Sequence, residues 1–314
     1  MVSTTSPPAV ETDPAHGGRW TSLRAGGREW LWHRDEPRRP GVVPGDAFAD
    51  AGGVEECVPT VRGTPDHGDA WARPWQRACG TESVDCADFR LSRRIRADGD
   101  RAVVDYRLTA EPGYRFLWAA HALLDLSEEA RVGIADGTPA RFYPDGGARW
   151  TPCSWPSPPG RTDGLDRLGP DDGTAVGAIV DTRRVDVHDG TATLRMAVEA
   201  EGQPVSVALW RNLGGFPEQR PYRSVGVEPM LGRVFDLAAA RDGDAACVPH
   251  AGEVRWRLTV SARVAPHSAT GTATSPKNQT GKGARTWICC PRCVPTGSSP
   301  SCAARTRTPH SGPY

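Results

Sequence analysis

The chain has 314 residues, 38 basic and 38 acidic side chains, and 38% hydrophobic residues. This balance is typical of a globular protein and gives no electrostatic reason to expect nucleic acid or an anionic membrane surface as a partner. The longest apolar runs are too short to span a bilayer, so we expect no membrane-spanning segment.

The first 16 residues, MVSTTSPPAVETDPAH, lack the basic start and apolar stretch of a secretory signal. We therefore predict a disordered lead over residues 1–16 and a cytoplasmic protein whose nine cysteines stay reduced. Five of these cysteines have no paired spacing and are predicted to be ordinary small apolar side chains: Cys57, Cys79, Cys86, Cys153 and Cys247.

Short apolar or alternating segments, separated by Gly, Pro and Asp turn signals, recur along the chain. They do not alternate with helical segments. This pattern predicts an all-β fold with few helices, a large antiparallel β-sandwich forming a single domain over residues 17–264. Residues 141–172, rich in Pro, Gly and Asp, are predicted to form a long loop of the kind that often carries function. The predicted strands cover residues 30–33, 102–110, 115–126, 131–135, 175–181, 192–199, 205–210, 223–228 and 254–264.

The segment PDHGDAWARPW, residues 65–75, is the first candidate for a binding site. The glycine after His67 lets the backbone turn close to a ligand. Trp71 and Trp75 have flat apolar faces that suit the C–H surface of a sugar, and Arg73 can form paired hydrogen bonds with hydroxyls or a phosphate. The alternative is a surface loop with a capping aspartate and two core tryptophans.

The segment FLWAAHALLDL, residues 116–126, is apolar on both faces of a predicted strand. A central strand would bury His121 or place it along a cavity. Histidine has an unperturbed pKa near 6.5, so His121 is suited to give or take a proton at neutral pH. The alternative is a hydrogen-bonded core histidine with a structural role.

The segment SVGVEPMLG, residues 224–232, ends an apolar strand with a carboxylate. Alternation places Gly226 and Glu228 on the face opposite Val225 and Val227. Pro229 has no N–H to donate and is expected to end the ladder. Glu228 is therefore either a tuned acid–base group or one half of a buried salt bridge with an arginine.

Taken in order, these stretches resemble the aldose 1-epimerase, or galactose mutarotase-like, family. The family has a histidine in an early loop, as in PDHGDAW, a second on a central strand, as in FLWAAHALLDL, and a late glutamate before proline, as in VGVEP. The opening GGRWTSLRAGGREWLW and the closing RWRLTVSARV resemble its first hairpin and last strand. The resemblance spans about residues 17–264 and implies a galactose mutarotase-like supersandwich that holds a sugar on its concave face.

The resemblance also implies the reaction, in which α and β anomers of a sugar interconvert through ring opening. Glu228 would be the general base that removes the C1 hydroxyl proton, and His121 the general acid that protonates the ring oxygen. His67, Trp71 and Arg73 would bind the sugar. The implied partner is a small-molecule sugar, and the protein that binds it would be a monomer or homodimer. The implied reaction needs no metal or organic cofactor.

The chain departs from the family pattern in two places. The family carries an arginine near the first histidine, for which Arg62 and Arg73 are the candidates, and a mid-chain aspartate, for which only Asp163 and Asp166 are loosely placed. A non-catalytic carbohydrate-binding or regulatory module with the same fold is therefore the alternative. A retaining glycosidase would need two carboxylates about 5–5.5 Å apart, and the sequence offers one well-placed acid.

The composition changes abruptly at residue 265. Both lysines of the chain, four of its nine cysteines and no acidic residue lie beyond it. Residues 265–314 are interpreted as a disordered low-complexity tail, a small zinc site, or a segment translated in a shifted frame, and the change in basic-residue choice favours the last. The zinc ligands would be Cys290, Cys293, Cys302 and His310.

Overall fold

The structure, a computed structural model, describes residues 7–147 and 149–265. In these residues the only helical segments are two 3₁₀ turns, Arg39–Gly41 and Leu237–Ala239. The strands, in chain order, are β1 Ala9–Asp13, β2 Arg19–Ala25, β3 Arg28–Glu29, β4 Val54–Cys57, β5 Gln76–Ala78, β6 Thr81–Asp85, β7 Phe89–Asp98, β8 Arg101–Ala110, β9 Arg115–Phe116, β10 Trp118–Leu124, β11 Arg131–Gly133, β12 Pro139–Tyr143, β13 Thr151–Ser154, β14 Thr174–Val180, β15 Arg184–Asp189, β16 Ala192–Ala200, β17 Val205–Phe216, β18 Tyr222–Leu231, β19 Ala246–Cys247 and β20 Glu253–Val264.

Two large antiparallel sheets contain nearly all of these strands. The first has ten strands in the order β1-β2-β4-β10-β18-β17-β14-β12-β13, with β3 paired to β2. The second has eight strands in the order β11-β15-β16-β20-β8-β7-β6-β5, and β9 pairs with β19. The prediction of a large all-β antiparallel sandwich is confirmed. No helix of the described residues is long and apolar enough to cross a membrane.

The main core lies between the two large sheets. Successive side chains of a strand point to opposite faces, so the even-numbered residues of β10 face this core. Trp118 packs against Tyr106 of β8 and Trp256 of β20, with ring centroids 4.8 and 5.2 Å away. The odd-numbered residues of β10, His121 among them, therefore point to the outer face of the ten-stranded sheet.

A buried ion network also joins the two sheets. Glu56 of β4 accepts hydrogen bonds from Trp118 Nε1 (2.6 Å), from the Tyr106 hydroxyl (2.8 Å) and from the Arg93 guanidinium. Arg93 also pairs with Glu82, at 2.7 Å. Because these charges are paired and hydrogen-bonded inside the sandwich, their role is structural.

Three sequence predictions are corrected by the fold. Ala9–Asp13 is not disordered but forms β1, because pairing with β2 satisfies its backbone and Val10 packs against the core. Residues 30–33 make only isolated bridges at Leu31 and His33. The predicted long loop over residues 141–172 contains the end of β12 and all of β13.

Pro229 was predicted to end the strand ladder, but it interrupts the pairing of β18 on one side only. Strand β18 continues to Leu231, and Pro229 lies opposite Val207 of β17. On the other side, pairing with β10 is interrupted between Ala119–Met230 and Leu123–Gly226. A residue without an N–H donor produces such a gap. The gap is where His121 and Glu228 face each other.

Several predictions fall partly or wholly outside the described residues. The proposed zinc ligands and almost all of the segment assigned to a shifted frame lie beyond residue 265. The five cysteines of the described part of the chain form no disulfide, and Cys79 and Cys247 are exposed instead of buried.

Candidate active site

The two histidines and the glutamate meet on the outer face of the ten-stranded sheet. The imidazole rings of His67 and His121 are 5.1 Å apart between centroids and almost perpendicular. His121 Nε2 lies 3.7 Å from Glu228 Oε1. We call His67, His121 and Glu228 the trio. Its members are between 54 and 161 positions apart in the sequence.

Glycine at position 226 makes room for the carboxylate of Glu228. A Cβ atom added at Gly226 would lie 2.5 Å from Glu228 Oε1 and 3.1 Å from the Cβ atom of Trp210. Any larger residue would therefore collide with the carboxylate. This explains why the sequence places its smallest residue two positions before a buried acid.

Glu228 is buried without an arginine partner. It is 1% exposed, and its Oε2 atom makes no hydrogen bond with a described residue. Nearby arginines that the sequence offered are paired elsewhere: Arg211 with Asp172, Arg223 with Asp171, and Arg233 with Asp181. The salt-bridge interpretation of Glu228 is therefore wrong, since within the described residues only His121 lies within ion-pair distance of it.

Burial shifts the pKa of both members of the His121–Glu228 pair toward the neutral form. Desolvation raises the pKa of Glu228, and the charge of His121 opposes that rise. Desolvation lowers the pKa of His121, and the charge of Glu228 opposes that fall. The two groups therefore titrate as a coupled pair.

His67 is held by the residue before it. Its Nδ1 atom lies 2.8 Å from Asp66 Oδ1, and its backbone has a φ of +58°, which is uncommon for a residue other than glycine. Burial raises the pKa of Asp66, but its hydrogen bond with His67 contributes to a net lowering. An ionised Asp66 accepts a hydrogen bond from the Nδ1–H of His67, so Nε2 is left as the free nitrogen of the ring.

Gly68 has a different role from the one predicted. Its φ is +82°, and an added Cβ atom would lie 2.1 Å from the carbonyl oxygen of Val58. The close backbone approach that needs glycine is thus made to Val58, where the structure turns the loop onto β4, and not to a ligand.

Phe48 covers the two histidines, and nothing in the sequence pointed to it. Its ring is stacked on His67, with centroids 3.7 Å apart and planes 12° from parallel, and meets His121 edge-on at 5.6 Å. Its backbone N–H donates to Asp66 Oδ2 at 3.0 Å. Asp66 therefore holds both His67 and the residue that covers it.

The segment that carries Phe48 is anchored by a buried ion pair, also missed in the sequence. Arg39 donates two hydrogen bonds of 3.0 Å to the carboxylate of Glu55. Glu55 lies directly opposite His121 in the pairing of β4 and β10. A second anchor is the 2.6 Å hydrogen bond from the Tyr222 hydroxyl to Asp50.

Trp71 and Arg73, predicted to bind the sugar, are not brought to the trio. Trp71 is 1% exposed, donates from Nε1 to the Asp66 carbonyl at 3.0 Å, and packs against Phe48. Trp71 is therefore a buried residue that packs beneath the loop, which agrees with the alternative interpretation of a core tryptophan. The guanidinium of Arg73 pairs with Asp69 at 3.0 Å.

Arg62 is the arginine that lies beside the site. Its charge contributes to the lowered pKa of Asp66, and its backbone bridges to Asp236. The aspartate candidates lie elsewhere: Asp163 is exposed, and the backbone carbonyl of Asp166 binds Val132 beside the other sheet. In the described part of the chain, no group of three His, Cys, Asp or Glu side chains is placed to hold a metal ion.

Comparison with known proteins finds similarity in structure only. No protein-family model matches the chain, and no curated protein matches it in sequence. A provisionally named aldose 1-epimerase from Escherichia coli K12 is 13% identical, with a TM-score of 0.61 over 83% of this chain and 98% of that one.

Two further solved structures give the same result. A galactose mutarotase related enzyme from Lactobacillus acidophilus is 14% identical, with a TM-score of 0.58 over 82% of this chain and 96% of that one. A galactose mutarotase-like protein from Lactobacillus casei is 13% identical, with a TM-score of 0.56 over 82% and 99%. The chain therefore has the galactose mutarotase-like fold that the resemblance implied.

Proposed function

We propose that the protein is an aldose 1-epimerase-type isomerase that interconverts the α and β anomers of a hexose or related sugar. The observation that carries the proposal is the Glu228 carboxylate, which is buried, has no arginine partner and lies 3.7 Å from His121 Nε2. The fold it shares with proteins named as aldose 1-epimerases and mutarotases supports the same conclusion.

Ring opening of a hemiacetal requires one proton to leave and another to arrive. Glu228 takes the proton of the C1 hydroxyl, the C1–O1 bond becomes a carbonyl, and the C1–O5 bond breaks. His121 gives its proton to O5. After rotation about C1–C2, the reverse transfers close the ring on the other face of the carbonyl: Glu228 returns its proton to O1, and His121 recovers its proton from the O5 hydroxyl.

The electrostatics of the pair suit this exchange. Each positioned acid or base contributes typically about 10²–10⁴-fold to the rate when its pKa is near the working pH. Burial raises the pKa of Glu228, which makes its carboxylate a stronger base, and lowers the pKa of His121, which makes its imidazolium a stronger acid. His67, oriented by Asp66, is placed to hold O5 or a neighbouring hydroxyl.

Access to the trio requires Phe48 to move. Its ring lies on His67 and against the edge of His121. A sugar that contacts both histidines must take the place of this ring. The same observation gives the alternative its support, since a covered site that lacks the family's aspartate suits a carbohydrate-binding or regulatory module without turnover. The cytoplasmic location and the monomeric or dimeric state remain predictions.

The test is the rate of mutarotation of freshly dissolved α-D-glucose and α-D-galactose, followed by polarimetry or one-dimensional NMR with and without protein. Acceleration that is lost in Glu228→Gln would support the isomerase and the role of the base. Acceleration that persists in Glu228→Gln would remove Glu228 from the mechanism. Sugar binding without acceleration would favour the binding module.

A further inference from the structure

A small cavity lies beside the trio on the same face of the sheet. Its volume is about 230 Å³, and its walls include Arg62, Tyr143, Trp150, Phe235 and Asp236. Clefts that bind drug-sized ligands usually measure roughly 300–1,000 Å³. The cavity is therefore of a size for about one small ring.

One tryptophan side chain spans the distance between the trio and the cavity. The Cβ atom of Trp210 is 3.1 Å from the position of a Cβ atom added at Gly226, and Glu228 Oε1 is 2.5 Å from that same position. At the far end of the indole, Trp210 Cζ3 is 2.6 Å from the corresponding position at Gly146, and Arg62 Nη1 is 3.4 Å from it. The trio and the cavity are therefore separated by about the length of one indole side chain.

Tyr143 gives the cavity an unsatisfied polar group. The residue is 1% exposed, and its hydroxyl makes no hydrogen bond with a described residue. Burial raises the pKa of Tyr143 to about 12, and the nearby Arg141 charge and Phe235 backbone only partly oppose this. A buried hydroxyl without a partner is unfavourable by about 1–3 kcal/mol. A ligand hydroxyl in the cavity would remove that penalty.

Trp150 supplies a fixed aromatic surface. The Arg141 guanidinium lies 4.5 Å from the centre of its ring. Arg141 is itself held by the Asp244 carboxylate at 2.7 Å and by the Arg233 carbonyl at 2.8 Å. The indole is thus supported by a guanidinium that cannot easily move away.

Two oppositely charged side chains complete the wall. Arg62, an exposed residue, lines the cavity. The Asp236 carboxylate accepts the Ala238 N–H at 2.9 Å and forms no salt bridge with a described residue. An aromatic surface with separate donors and acceptors suits the apolar face and hydroxyls of a neutral sugar ring. The carboxylate disfavours a phosphate dianion.

We propose that this cavity binds the second pyranose ring of a neutral reducing disaccharide or oligosaccharide, whose reducing-end ring lies at the trio. The placement of the reducing-end ring rests on the proposed function. The substrate class is then reducing oligosaccharides in preference to free hexoses.

Isothermal titration calorimetry with sugars at anomeric equilibrium tests the cavity, because turnover then contributes no net heat. The probes are maltose, cellobiose, isomaltose, gentiobiose and lactose, compared with glucose and galactose. At least one disaccharide is expected to bind about tenfold or more tightly than its reducing-end monosaccharide, which corresponds to a few well-placed contacts. Trp150→Ala and Tyr143→Phe should abolish that difference and leave monosaccharide affinity unchanged, while the distant Tyr114→Phe changes neither.

Three results would overturn the proposal: equal affinities for all disaccharides and monosaccharides, a disaccharide preference that survives both variants, or a preference for glucose 6-phosphate that depends on Arg62. The separate mutarotation assay distinguishes this failure from failure of the proposed function. Acceleration with glucose but no disaccharide preference keeps the isomerase and rejects the cavity. A disaccharide preference that needs Trp150, without acceleration of any sugar, keeps the cavity and rejects the isomerase.

Discussion

Replacing Phe48 with alanine should make the protein bind sugar more tightly. In the structure the ring must leave its contacts with His67 and His121 before a sugar can occupy the site. Each aromatic contact contributes about 0.5–1.5 kcal/mol, so two contacts make uncovering cost about 1–3 kcal/mol. When only a fraction of molecules is open, the apparent dissociation constant is raised by the reciprocal of that fraction.

A free energy of about 1–3 kcal/mol corresponds to about a 5–150-fold change in affinity. Phe48→Ala should therefore lower KM by about that factor and leave kcat nearly unchanged, because the ring has already left the trio when a sugar is bound. The backbone N–H bond to Asp66 Oδ2 is available to alanine as well. The loop anchors should consequently survive.

The assay is the initial rate of mutarotation over a range of sugar concentrations for the wild type, Phe48→Ala and Val43→Ala. Val43 lies in the same segment and is 56% exposed, so its variant controls for general disturbance of the loop. Circular dichroism should show that all three proteins are folded. An unchanged KM in Phe48→Ala would refute the covering role, and a raised KM would mean that Phe48 is part of the sugar-binding surface.

Three further predictions concern buried charges of the site. Arg39→Met should reduce the free energy of unfolding by about 3–5 kcal/mol, because it removes the hydrogen-bonded partner of buried Glu55 and leaves only Arg19, 4.0 Å away. The exposed neighbour variant Arg38→Met should change little in urea unfolding. Glu228→Gln should raise the melting temperature at neutral pH. A carboxyl group whose pKa in the folded protein is raised above 4.5 does not destabilise the fold below pH 4.5, where it is protonated, and lowers the free energy of unfolding as the pH rises and it ionises. The gain in melting temperature from Glu228→Gln should therefore shrink as the pH falls toward 4.5. A melting temperature that falls in Glu228→Gln at neutral pH would contradict the assignment of Glu228 as a buried acid without an arginine partner. Asp66→Asn should lower kcat/KM by about 10²-fold through loss of histidine orientation, with unfolding unchanged; full activity would remove Asp66 from the site.

The sequence by itself determined the fold class and which side chains share a strand face with His121 and with Glu228. Side chains alternate along a strand, so an apolar run that carries one histidine or one glutamate shows which residues share its face. On that basis His121 and Glu228 were separated from Trp118 and Val227 before any contact was known. The order of the three motifs then indicated the fold, which solved structures at 13–14% identity confirm.

Only the tertiary structure decided what surrounds these residues. Pro229 breaks pairing with one neighbouring strand and not the other, which no local pattern can specify because it depends on which strand lies on each side. Phe48 is the single aromatic residue of the stretch GDAFADAGG. Its position over His67 follows from anchors distant in sequence, such as the one between Arg39 and Glu55. Side-chain periodicity indicates the face of the strand on which a residue lies. The partners of that residue come from segments distant in sequence, and no local pattern indicates which segments those are.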